Sequence, residues 1–250
     1  SSRELFRGRC SHSRSRRREM GAFFTSGAAY VFLAVFYLVS GIFFFNGVIS
    51  QSTTDTSAMF SSMFYIVIFL IPVLTMRLLS EEKKNKTDQG LLTAPIGLWE
   101  IVLGKYFAAL TLFIIAESIV FVYSLILSYL GTVVWSTLLG NYFAMLFLGA
   151  AFIAVGLFIS SLTENQMASA VASIVALFLI YLSEMLVTNF DGEGKIKTLI
   201  YKVVTAFAFY SRYIEFTQGI FSLPSVVFFL STAFLFNFFT VRVLEKKRWS

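Results

Sequence analysis
Six mainly apolar runs of about twenty or more residues, near 28–49, 59–79, 101–129, 138–160, 167–187 and 225–243, limit this chain to one kind of fold. A helix of about 20 residues crosses a hydrocarbon core of about 30 Å. Inside that core no water meets a bare N–H or C=O, so every backbone group must be paired within the protein. The fold class predicted is all-α, a polytopic membrane protein with six transmembrane helices. Composition agrees: 57% of residues are hydrophobic and 14% charged, with a mean hydropathy of +0.78, where a soluble domain carries about 25% charged residues.

Placement of positive charge orients the spans, because Lys and Arg near span ends are retained on the cytoplasmic side. With both termini inside, sixteen of the twenty Lys and Arg fall on that side. The other four, Lys195, Lys197, Lys202 and Arg212, share one long loop outside. The net charge of +6 is therefore a topological signal. Nucleic acid is not an expected partner, since the basic residues gather in short polar segments beside apolar spans. Residues 1–17 form a basic Ser/Arg-rich tail whose composition builds no core, read as a native tail or a start-site artefact. Residues 18–250 form the single transmembrane domain. No small-residue cleavage site follows the first apolar run, which reads as a retained span.

Several local features refine this outline. The third run is long enough for its start, "IGLWEIVLGKY", to lie along the interface, with Trp99 and Tyr106 as anchors and Lys105 snorkelling. The fourth and fifth spans, joined by "SSLTENQ", form an antiparallel hairpin. Residues 195–222 alternate aromatic and small residues at roughly helical spacing, which predicts short re-entrant helices on the extracytoplasmic side, before the sixth span. Pro72 predicts a kink in the second span. Gly149, Ala150, Ala151, Ala154 and Gly156 allow close helix approach, either within one chain or at a seam between two.

Catalytic chemistry is hard to place on this sequence. "DGEGKIKT" comes nearest to a phosphate-cradling loop, but Ile196 stands where a magnesium-binding Ser or Thr belongs, and Asn189 stands in the place of the first glycine. The one histidine, His12, and the one cysteine, Cys10, both lie in the basic tail. No His, Cys or carboxylate set has metal-ligand spacing, and one cysteine makes no intrachain disulfide. The expectation is a chain that is not an enzyme, with no catalytic residue, no metal and no cofactor of its own.

Two places carry functional candidates. A carboxylate deep in the third span, Glu117, is costly in a bilayer unless paired, protonated or facing water. It is the candidate pathway residue, with a structural hydrogen bond to a neighbouring span as the alternative. Glu184, near the outer end of the fifth span, reads as a satisfied boundary group. The second place is the charged island between the second and third spans, "SEEKKNKTDQGLLTAPIGLWEIVLGKY". Gly90 releases its charged turn and Pro95 stops a short amphipathic helix before Trp99 re-enters the membrane. That leaves Leu91, Leu92 and Ile96 free to pack into a partner's groove.

That island resembles the cytoplasmic loop of ABC-2 type transporter permeases, the membrane subunits of one class of ATP-binding-cassette exporter. The similarity rests on Glu81, Glu82, Lys83, Thr87, Leu91, Leu92, Pro95, Glu100, Gly104, Lys105 and Tyr106. "REMGAFFTSGAAYVFLAVFYLVSGIFFF" is similar to the family's lead-in helix and first span, "GLFISSLTENQMASAV" to its fourth-to-fifth hairpin, and "YSRYIEFTQGIFSLPSVVFFLSTAFLFNFFTVRVLEKKRW" to its closing segment. The branch looks closest to permeases of the gliding-motility and copper-enzyme-maturation types. Gly27 departs from the pattern, since relatives often carry Pro there.

The resemblance implies a permease subunit of an exporter, docked on a separate ATPase chain that holds ATP and magnesium. Its coupling helix would follow the second span and use Thr87, Leu91, Leu92, Pro95 and Ile96. It also implies a second permease copy or a related permease as partner. The expected location is a cell membrane, the bacterial inner membrane, with both termini cytoplasmic and the lipid bilayer as solvent. A non-transporting scaffold or channel component is the alternative, and would need no coupling loop. A secondary transporter would show paired broken helices and internal repeats.

Overall fold
A computed structural model describes residues 27–84, 97–131, 133–188, 208–218 and 222–249. Among them the regular structure is helical: α1 (Gly27–Phe44, continued by a π-helical turn, Phe45–Ile49), α2 (Ser57–Lys84), α3 (Leu98–Glu117), α4 (Ile119–Leu130), α5 (Trp135–Leu162), α6 (Gln166–Thr188), α7 (Phe209–Thr217) and α8 (Leu223–Trp249). Six stretches of the described residues are long and apolar enough to cross a membrane: Ala29–Ile49, Ser57–Ser80, Leu98–Tyr129, Trp135–Leu162, Gln166–Leu186 and Leu223–Lys246. These coincide with the six expected runs.

The third span differs from its expected form in two ways. Leu98–Tyr106 is the continuous start of α3 and not a separate interfacial segment. Trp99 instead packs on Phe234 and Phe238 of α8, with centroids 6.3 and 6.1 Å away. The span is also interrupted at Ser118, where α3 gives way to α4. Ser118 spends its hydroxyl on the Ile114 carbonyl, 2.8 Å away and one turn back, a side-chain bond known to bend helices. Helix α2, by contrast, runs unbroken through Pro72.

Helix α5 is the central post. It packs against α2, α3, α6, α7 and α8, most extensively against α8. In its apolar window 72% of residues are buried, against 28% in α1 and in α6. Lipid tails are as apolar as the side chains, so association between spans rests on close packing and interhelical hydrogen bonds. The small residues of α5 supply that closeness. Phe113 of α3 lies against Gly149, and Thr75 of α2 against Gly156, so near that a methyl group at either glycine would clash. Ala150, Ala151 and Ala154 are buried beside them. The small-residue stripe therefore packs the interior of one chain.

Helix α1 shows the opposite design. Ala29, Phe32, Phe36, Ser40, Phe44 and Val48 are buried at three- and four-residue spacing, while Tyr30, Val31, Leu38 and Ile42 are exposed. One stripe of the helix meets the bundle and the rest presents an apolar surface, as expected of a helix at the lipid boundary.

Candidate functional site
At one end of the bundle the turns α1–α2 and α4–α5 meet the end of α7. The Ser57 hydroxyl donates to the Thr217 carbonyl at 2.8 Å, and the Tyr213 hydroxyl to the Phe60 carbonyl at 2.8 Å. Burial pushes the Tyr213 phenol well above its ordinary value. A cavity of about 280 Å³ opens here, lined by Thr53, Thr54, Asp55, Thr56, Val133, Val134, Thr137, Leu138 and Gln218.

Helix α7 is held in place by Glu184 of α6. Glu184 Oε2 accepts from the N–H of Tyr210 at 3.1 Å, and Oε1 from the N–H of Ser211 at 2.7 Å and from its hydroxyl. The first N–H groups of a helix have no partner inside it, and a carboxylate there also complements the helix dipole. Glu184 is thus the satisfied boundary residue expected, and its role is more definite than that, since it caps α7 from a neighbouring helix. Beside it, the hydroxyls of Tyr181 and Tyr65 and those of Tyr65 and Tyr210 meet at 3.4 Å. Burial, and then the bond to Tyr65, raise the Tyr210 phenol above its ordinary value. Tyr65 is exposed and Tyr181 and Tyr210 half-buried, so three phenols reach the side of the bundle where α2, α6 and α7 meet.

Glu117 is the last residue of α3, immediately before the interruption at Ser118. It is 1% exposed and belongs to the interior of one chain. Both carboxylate oxygens lack a hydrogen-bond partner. Tyr37 of α1 donates to the Ile115 carbonyl at 3.2 Å, and Tyr123 of α4 pairs with Ser40 at 2.8 Å. Asn141 of α5 donates through Nδ2 to the Thr56 hydroxyl at 3.4 Å, while its Oδ1 is buried and unpartnered. Asn141 escaped the sequence reading, although it is the one amide in the apolar stretch Trp135–Leu162, and an amide in a span is by itself a sign of interhelical bonding.

At the opposite end, Lys105 Nζ of α3 donates to the Leu78 carbonyl of α2 at 2.7 Å. The Ser160 hydroxyl of α5 accepts from the N–H groups of Leu79 and Ser80 at 3.3 and 3.2 Å. Three helices are thereby tied together where α2 leaves toward the charged island. Thr87, Leu91, Leu92, Pro95 and Ile96 lie outside the described residues, as do 1–17 and 189–207.

A bundle of six apolar spans around a small-residue post, with polar groups gathered at its two ends, defines a polytopic helical membrane domain. The family model of the ABC-2 family transporter protein matches residues 36–225, from within α1 to the start of α8, and the chain belongs to that family. A comparison with curated proteins finds no match.

Proposed function
We propose that this chain is the membrane permease subunit of an ATP-driven exporter, and that a separate chain hydrolyses the ATP with its magnesium. The observation that carries the proposal is the form of α2. It is one continuous helix, Ser57–Lys84, that outlasts its apolar part, Ser57–Ser80, by a charged turn leading into the island. Its other end is bonded to α7 through Ser57 and Tyr213. A partner pressing on Thr87, Leu91, Leu92, Pro95 and Ile96 would act on the near end of a stiff rod whose far end holds α7.

The proposed topology puts the island in the cytoplasm with both termini, and α7 on the extracytoplasmic side of the bacterial inner membrane, in keeping with the distribution of Lys and Arg. A second copy, or a related permease, would sit against the side of α2, α6 and α7. Exposed residues of α1, α4 and α8, such as Leu38, Leu125 and Phe234, suit lipid, whereas the phenols of Tyr65, Tyr181 and Tyr210 suit water or a protein partner. Glu117 is proposed as a pathway residue on the strength of its unpaired carboxylate.

Leu92→Asp tests the reading. It should abolish association with the ATPase and transport while leaving membrane insertion intact. Unchanged association and unchanged transport would overturn it.

A further inference from the structure
We propose that Glu117 is the inner end of a monovalent-cation site, loaded with a proton or a sodium-sized ion, that fills from the α7 end of the bundle through the threonine-lined cavity. Three buried atoms carry the proposal: Glu117 Oε1, Glu117 Oε2 and Asn141 Oδ1. Each is an acceptor without a donor. An ionised carboxylate left so is strongly unfavourable, because burial removes its hydration and nothing replaces it. The carboxyl must carry its own proton or a counter-ion.

Among the described residues no cation is paired with it: Arg212, the cation of α7, lies over the Phe228 ring at 4.0 Å. The groups within electrostatic reach are the phenols of Tyr142 on α5 and Tyr213 on α7, and Tyr37 of α1 and Tyr123 of α4 are committed to Ile115 and Ser40. Lys105 shares α3 but stands twelve residues earlier in the chain, about 18 Å along the axis at 1.5 Å per residue, with Leu78 as its partner. Arg77 of α2 lies beside that same end, one residue before Leu78. Arg242 and Glu245 of α8 pair with each other at 2.8 Å.

The route follows from the pairing of α3 with α5. Phe113 faces Gly149, and the two helices are antiparallel neighbours. One turn on, Glu117 reaches the level of Met145, and Asn141 stands one turn further toward the cavity. Asn141 bonds to Thr56, and Thr56, Thr137 and Leu138 are among the residues lining the cavity. Asp55, which also lines the cavity, is exposed and accepts from the Ser57 N–H at 2.9 Å; its negative charge favours cations there. Oxygen ligands of this kind suit a hard cation as well as a proton.

The inference stands on the fold alone, so it is tested without an ATPase or a transported substrate. The purified full-length chain is melted in detergent while sodium chloride replaces choline chloride at constant ionic strength, at one acidic and one alkaline pH, beside Glu117→Gln. Sodium that raises the melting temperature of the wild type by several degrees, and of the variant not at all, identifies a metal-ion site. An acid-dependent rise without a sodium effect, again lost in the variant, identifies a proton site. Identical sodium and acid responses in the two proteins overturn the proposal.

Should Glu117→Gln fail to fold, an apolar carbodiimide, which attacks protonated buried carboxyls, is mapped on the wild type by mass spectrometry. Modification of Glu117 that sodium or alkaline pH suppresses supports the site. No modification there, or modification indifferent to both, overturns it.

Discussion

The carboxylate of Glu184 and the backbone N–H of Ser211 are joined at 2.7 Å across twenty-seven residues of chain. Helix α7, nine residues long, is too short to be stable alone, and this bond with its neighbours fixes where it begins. Glu184→Ala should destabilise the protein by about 1–3 kcal/mol, because two terminal N–H groups lose their acceptor. Hydrogen exchange of the 209–213 amides should accelerate with it. Glu184→Gln keeps an acceptor and should lose less; equal exchange in all three proteins would show that Glu184 does not cap α7.

Gly149→Ala forces a methyl group into the ring of Phe113. Overpacking of this kind costs about 1–3 kcal/mol. Combining it with Phe113→Leu should recover part of the loss, so the melting temperature of the double variant should exceed that expected from summing the two single changes. Simple additivity would mean that the ring and the glycine do not compete for one space.

The Tyr213 phenol is held neutral by burial. Its ordinary value applies once the chain unfolds, so the unfolded state ionises first and stability should fall as pH rises above about 10. Tyr213→Phe should cost about 1 kcal/mol at neutral pH and should flatten part of that alkaline decline. A pH–stability curve with the same alkaline slope in both proteins would show that Tyr213 is not the group responsible.

Orientation is checked with single cysteines in a Cys10→Ser background. Gln218 beside the cavity and Glu164 in the α5–α6 turn are both exposed and lie at opposite ends of the bundle. An impermeant thiol reagent added outside cells should label Gln218→Cys and spare Glu164→Cys until the membrane is opened. The reverse pattern would invert the proposed topology.

Transport separates the two readings of Glu117. Glu117→Gln retains shape and removes the ionisable group, and should alter transport while leaving the proposed dimer intact by native mass measurement. Neutral transport in that variant, with Glu117→Leu breaking assembly, would make the residue a structural group.

The spans were legible because the length of an apolar run is a local property, and a bilayer demands little more. The antiparallel pairing of α5 with α6 was legible for the same reason, since only Thr163, Glu164 and Asn165 separate them. The order of burial was not. All six spans are apolar enough to face lipid, and what makes α5 the centre is its small residues, which serve an interior and a seam between chains equally well until partners such as Phe113 and Thr75 are seen. The break at Ser118 sits in "FIIAESIVFV", a stretch without Gly or Pro to announce it. Glu184 was recognisable as a boundary residue, but its partners stand far along the chain. Asn141 could have been found by asking where an amide interrupts an apolar run.

The post at the centre of this bundle is the fourth of the six described spans, and the helix it packs against most extensively, α8, is the sixth. During synthesis, therefore, the face of α5 meant for α8 has only lipid or a chaperoning protein to meet. That face carries Phe158, which packs on Phe236 and Phe239 once α8 is in place; until then the core is open on one side. Damage to α8, Leu223–Trp249, would hold the protein in that state, and its phenotype should be rapid clearance by membrane proteases while the earlier spans still insert normally.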